Sequence, residues 1–84
     1  MAYEVIFRNE ARKALTRLDR AMQKRVGKSI DRLTENPRPG QATTLVSDPG
    51  TWRVRVGDWR ILYEIHDDKL IILVLDIRHR STAN

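Results

Sequence analysis

The sequence predicts an α/β chain of the α+β kind, in which an N-terminal strand and a two-helix hairpin precede a three-stranded antiparallel meander, giving one four-stranded sheet. Three observations predict it. Residues 51–65, "TWRVRVGDWRILYEI", alternate apolar and polar side chains on both sides of Gly57-Asp58, the pattern of a two-strand hairpin. Residues 9–35 instead carry their apolar side chains at helical spacing. The run "LIILVLDI" at 70–77 is apolar at nearly every position, as expected of a strand covered on both sides or lying centrally in a sheet. At 84 residues the chain has length for one domain, 1–84, and one modest core.

Taken in order, "YEVIF" at 3–7 reads as a short strand. "NEARKALTRL" follows with Ala11, Ala14, Leu15 and Leu18 on one helical face, Asn9 in the position to cap it and Glu10 in its first turn. "DRAMQKRVGKSIDRLTEN" aligns Met22, Val26, Ile30 and Leu33, with Asp19 as the cap that separates the two helices. Its basic residues, Arg20, Lys24, Arg25, Lys28 and Arg32, read as a solvated face, with contact to an RNA or DNA backbone as the rival reading. "NPRPG" stops this helix, because the residue before a proline is pushed out of the α region. A polar loop with a second break at "DPG" leads to strands 52–56, 59–65 and 69–77, joined by tight turns at Gly57-Asp58 and Asp67-Asp68. The expected core is Leu15, Leu18, Met22, Val26, Ile30, Leu33, Trp52, Val54, Ile61, Tyr63, Ile72 and Val74.

Composition excludes several classes of function. There is no cysteine, and the two histidines stand apart at positions 66 and 79, so neither a metal site nor a cofactor is expected. No apolar run approaches the roughly 20 residues that span a bilayer, and "MAYEVIFRNE" lacks the build of a signal peptide, so a cytoplasmic protein without membrane contact is expected. The net charge of +5 and a pI near 10.2 call for a polyanionic or acidic partner.

The hairpin itself narrows the choice. A two-residue loop at Gly57-Asp58 puts Val56 opposite Trp59, Val54 opposite Ile61 and Trp52 opposite Tyr63 on the core side. The other side then carries Arg55 opposite Arg60 and Arg53 opposite Leu62. Like charges across a ladder cost about 0.2–1 kcal/mol per pair, which a fold has no reason of its own to accept. Either Glu64, diagonal to Arg53, makes this a small salt-bridge cluster, or the face grips phosphates through guanidinium forks. Pairing across Asp67-Asp68 would set residue 60 opposite residue 75 and bring "RHR", residues 78–80, to the same end of the sheet.

"YEVIF", the helix pair, "NPRPG", "WRVRVGDWRILYEI" and the closing "RHR" together resemble the RelE branch of the RelE/ParE toxin superfamily over nearly the whole chain. The resemblance implies a RelE-like microbial RNase-type fold and the toxin of a type II toxin-antitoxin system. Such a toxin is a ribosome-dependent, metal-independent mRNA endoribonuclease that cuts in the A site and inhibits translation. It further implies an acidic RelB-like antitoxin, the 70S ribosome and mRNA as partners, with operator DNA bound only through the antitoxin complex. Carried over by position, Arg53, Arg55, Arg60, Arg80 and His79 are the implied catalytic set, and Arg53, Arg55, Arg60, Arg78 and Arg80 the implied RNA-binding set. Many relatives carry a tyrosine shortly after the last arginine, whereas residues 81–84, "STAN", have none.

Metal-independent RNA cleavage needs a group to take the 2′-hydroxyl proton, one to steady the phosphorane and one to protonate the 5′-oxygen. Arginine suits the second task and serves the first poorly. His79 is the one group of the set that titrates near neutral pH. Two other readings stay open: a ParE-like inhibitor of DNA gyrase, and a catalytically weak RNA-binding or co-repressor module.

Overall fold

The computed structural model describes residues 2–82. Its elements are β1 (Glu4–Phe7), α1 (Asn9–Arg17), α2 (Arg20–Glu35), β2 (Thr43–Thr44), β3 (Trp52–Val56), β4 (Trp59–His66), β5 (Ile71–His79) and a closing 3-10 turn, Arg80–Thr82. One sheet collects the strands in the order β1-β5-β4-β3-β2. β1 runs parallel to β5, and every other pairing is antiparallel. The sheet therefore has five strands rather than the expected four. The addition is β2, whose Thr43 and Thr44 pair with Arg53 and Trp52. Two threonines inside a polar loop are too few to show a period.

The β3–β4 hairpin has the expected register, from Val56 opposite Trp59 to Trp52 opposite Tyr63. Gly57 makes the turn possible at φ +61°, a left-handed conformation that glycine adopts without the clash a Cβ brings. The next turn differs from expectation. It spans four residues, Asp67 to Leu70, with Leu70 at φ 55° and its N–H donating to the Asp67 carbonyl. A bulge then adds one residue to β5, since Leu62 faces Asp76 whereas Tyr63 faces Val74. The longer turn and the bulge together set Arg60 opposite Arg78, not residue 75, and shift the strand from the expected 69–77 to Ile71–His79.

The parallel pairing of β1 with β5 requires a crossover, and the helix pair supplies it, packed on one face of the sheet. That face and the helices bury Ala11, Leu18, Val26, Ile30, Leu33, Val54, Val56, Ile61, Tyr63, Ile72, Val74 and Ile77. Each large aliphatic member contributes about 1.5–3 kcal/mol of transfer free energy. Leu15, Met22 and Trp52, expected inside, pack at the edge of this core and are half-buried. Asp19 caps α2 as expected, accepting from the Met22 N–H at 2.8 Å. Asn9 does not cap α1. The Arg8 N–H extends the β1 ladder by donating to the Val74 carbonyl, which holds Arg8 extended and makes it the residue before the helix, with Asn9 already inside.

The segment after α2 is tied down by polar contacts. Tyr63, fully buried, donates its hydroxyl to the Pro37 carbonyl at 2.7 Å. Arg38 lies over the Trp52 ring at 5.6 Å and pairs with Asp67 at 2.7 Å, while the Tyr3 hydroxyl donates to the same carboxylate. The bonds from Arg38 and Tyr3 hold the Asp67 carboxyl below its usual range. No helix among the described residues is long and apolar enough to cross a membrane.

Burial pushes the Tyr63 hydroxyl up to about 12. A phenol whose folded value lies above its unfolded one gives stability that is complete below about pH 10 and lost as pH rises towards the folded value. Tyr63→Phe is expected to cost about 1–2 kcal/mol at neutral pH, by leaving the Pro37 carbonyl without its donor. In denaturant melts across pH 9 to about 12, wild type should lose stability more steeply than the variant. Parallel curves for the two proteins would contradict this placement of Tyr63.

Candidate nucleic-acid interface

With one face of the sheet under the helices, the alternation of β3, β4 and β5 sends every second side chain to the other. Across that open face Arg53 pairs in register with Leu62, and Arg60 lies between Arg55 on one strand and Arg78 on the other. Arg53, Arg60, Arg78 and Leu62 line a groove of about 320 Å³, walled by Leu45, Val46 and Ser47 from the loop after β2. Leu62 is buried although it lies on the open side, so it forms a floor under the arginines. Val46 projects fully into solvent at the rim.

Asp48 holds that wall. Its carboxylate accepts from the Gly50 N–H at 3.1 Å and from the Thr51 hydroxyl at 2.7 Å, and its carbonyl from the Thr51 N–H at 3.0 Å. The Leu45 N–H in turn donates to the Thr51 carbonyl. Thr51 is the buried polar side chain of the described core, and its hydroxyl bond to Asp48 satisfies it.

The implied site residues do not all share this groove. Arg78 is in it, braced by Asp76, whose carboxylate accepts from the Arg78 Nε at 2.9 Å and from the Ile77 N–H at 2.8 Å. Arg80 stands at the hairpin end, its N–H donating to the Asp58 carbonyl at 2.7 Å and its Nε 3.8 Å from the Asp58 carboxylate. Arg55 lines a separate cleft towards α2. His79 pairs in register with Trp59 on the side that faces the helices, its ring edge-on to the indole at 5.1 Å, and Nδ1 lies 2.9 Å from the Ser81 Oγ. The structure thus brings Arg53, Arg60 and Arg78 together, keeps Arg80 at the end of the hairpin, and leaves Arg55 and His79 out of the groove. Glu64 does not neutralise Arg53 either. It pairs with His66 at 2.9 Å, and Arg53 makes no ion pair among the described residues.

The groove can bind and polarise a phosphodiester. Guanidinium forks offer paired N–H donors to phosphate oxygens, and a partly enclosed site strengthens those bonds relative to water. Among the described residues no group of three or more His, Cys, Asp or Glu side chains is placed to hold a metal ion.

Residues 5–84 match the family of the ParE toxin of type II toxin-antitoxin systems, parDE. The chain belongs to the RelE/ParE toxin superfamily. It is 29% identical over 85 residues to an Escherichia coli protein described as a RelE-like toxin, covering all of this chain and 90% of that one. Among solved structures it is similar to the archaeal RelE-RelB complex of Pyrococcus horikoshii, with a TM-score of 0.83 and 27% identity over 99% of this chain and 100% of that chain. The toxin-antitoxin complex RelBE2 of Mycobacterium tuberculosis gives a TM-score of 0.82 and 28% identity, over 95% and 100% of the two chains. Isolated RelE of E. coli shares the fold at 21% identity, with a TM-score of 0.81 over 93% of this chain and 84% of that one.

The wall around Leu45–Ser47 is the part of the groove that sequence reasoning missed; its available signal was "SDPGT", an aspartate placed to bond the backbone and hydroxyl just ahead of it. Asp48→Ala is expected to cost about 1–2 kcal/mol through the bonds to Gly50 and Thr51. It should also weaken binding of a short single-stranded RNA several-fold although every arginine remains. Melts and equilibrium binding check this, and unchanged affinity in a destabilised variant would remove the loop from the binding surface.

Proposed function

We propose that the chain is the toxin of a type II toxin-antitoxin pair and acts as a ribosome-dependent, metal-independent endoribonuclease on mRNA in the A site, so inhibiting translation. The observation that carries the reading is the convergence of Arg53, Arg60 and Arg78 on one open groove, with Arg80 beside Asp58 at the end of the same hairpin. Arg60 binds the scissile phosphate and stabilises the phosphorane formed as the 2′-oxygen attacks phosphorus and the P–O5′ bond breaks. Arg53 and Arg78 hold the neighbouring phosphates, and by this reading Arg80 offsets the charge that develops on the leaving 5′-oxygen. These groups act by position and electrostatics, terms that supply much of the rate in phosphoryl chemistry. Proton transfer falls to water or to ribosomal groups, because the groove is lined by arginines, apolar residues and Ser47.

Relatives of this fold are found with RelB antitoxins in the Pyrococcus and Mycobacterium complexes. By the same reading this chain pairs with an acidic antitoxin segment whose carboxylates occupy the arginine groove. The match to the ParE family favours a second reading, inhibition of DNA gyrase. Against it stands the arginine groove, which gyrase inhibition gives no chemical reason to build.

Single-turnover cleavage of message on programmed 70S ribosomes tests the proposal. Arg60→Ala should slow cleavage about 10²- to 10³-fold, the usual effect of losing one preorganised donor to developing charge. Arg60→Lys should recover part of that loss, since an ammonium cannot reproduce the fork. His79→Ala should cleave within about twofold of wild type, because the imidazole lies against Trp59 on the helix side and outside the groove. Full activity in Arg60→Ala would end the nuclease reading, and a wild type that spares message yet blocks gyrase supercoiling would replace it.

A further inference from the structure

A second cluster of cations lies outside the groove. Arg25, Lys28 and Arg32 occupy one stripe of α2, and with Arg55 they line a cleft of about 290 Å³ whose neutral donors are Ser29 and Gln41. Among the described residues no carboxylate lines it, and none of its four cations makes an ion pair. The cleft is organised by the hairpin turn. A Cβ on Gly57 would lie 3.2 Å from the Arg25 Nη1 and 3.3 Å from its Nη2, so this guanidinium rests directly over the turn. Beyond Trp52 and Arg53 the outer edge of β3 has no strand beside it among the described residues, and Arg55, exposed there, turns to α2 although its register partner is Arg60.

Four like charges around one cavity repel one another unless an anion sits between them. Val56 is the single apolar side chain of the lining, which offers little to the apolar anchors of a protein segment. Forks, an ammonium, a hydroxyl and an amide suit phosphate oxygens. We propose that this cleft is a second phosphate-binding site, for the backbone of a structured RNA, and that Arg55 belongs to it and not to the groove of Arg53, Arg60 and Arg78. The two sites flank one hairpin, so the cleft anchors folded RNA while the groove takes a single strand. The proposal rests on the preceding reading only in that the partner is RNA, and it requires no cleavage.

Equilibrium anisotropy of a fluorescein-labelled RNA hairpin, repeated across salt concentrations, tests it. Each phosphate contact contributes about 0.7–0.9 to the slope of log K against log salt. Lys28→Gln/Arg32→Gln/Arg55→Gln should reduce the slope by about two to three, and Arg55→Gln alone by about one. The control Arg12→Gln/Lys13→Gln/Arg17→Gln removes equal charge from α1 and should reduce it by less than about one. Thermal melts confirm that each variant is folded. Equal losses from the two triple variants would mean diffuse charge rather than a site, and an unchanged slope in the cleft variants, or no binding by wild type, would also overturn the proposal. Retained RNA binding with loss of affinity for a polyglutamate peptide would assign the cleft to an acidic protein instead. A wild type that fails to cut message on ribosomes, yet shows the expected slopes, would sink the nuclease reading alone.

Discussion

The register of the β3–β4 hairpin is the constraint on which the rest of the molecule depends. A strand has period two, so a slip of one residue in β3 would carry Val54 to solvent and Arg53 and Arg55 into the core, and one in β4 would exchange Ile61 and Tyr63 for Arg60 in the same way. The slip is resisted from both sides. The buried row on the helix face would be lost, and Gly57, at φ +61°, fixes where the chain reverses. The Arg25 guanidinium rests over the same glycine, coupling the hairpin to α2. One small residue thereby sets the core and the arginine face.

The second determinant is the offset of β5. A four-residue turn and a bulge together move Arg78 opposite Arg60, and the bulge sits where Leu62 gives way to Tyr63, beneath the groove. Bulges re-aim side chains, and here the consequence is a row of guanidinium-bearing positions across three strands. Asp76, on the same strand, offsets part of the resulting repulsion by bonding Arg78. The open face is therefore cationic by construction but braced, with Asp58 steadying Arg80 and Asp48 holding the wall.

Much of this was legible in the sequence, for identifiable reasons. The hairpin announces itself because alternation and a Gly-Asp turn agree, and Asp19 is legible as a cap because its side chain answers a local need. The β4–β5 turn was not. Its left-handed position is filled by Leu70, which carries no turn signal, and a bulge has no signature in a run of aliphatic residues. The cap on α1 went wrong because a tertiary bond, Arg8 to Val74, overrode local preference. Side-chain direction was equally hidden. Arg55 and His79 stand beside groove residues in sequence, yet one turns over an uncovered strand edge and the other faces the helices.

The central claim is that the open face, through Arg53, Arg60 and Arg78, is where RNA binds. Its most direct test is an NMR titration of the protein with a short RNA bearing a 2′-deoxy substitution at the scissile nucleotide, observing arginine Nε–Hε and backbone amide signals. The account predicts that the Nε–Hε signals of these three residues and the amides of Leu45, Val46 and Ser47 move together and saturate. Saturable shifts confined to α1 and β1, with the groove signals unmoved, would contradict it.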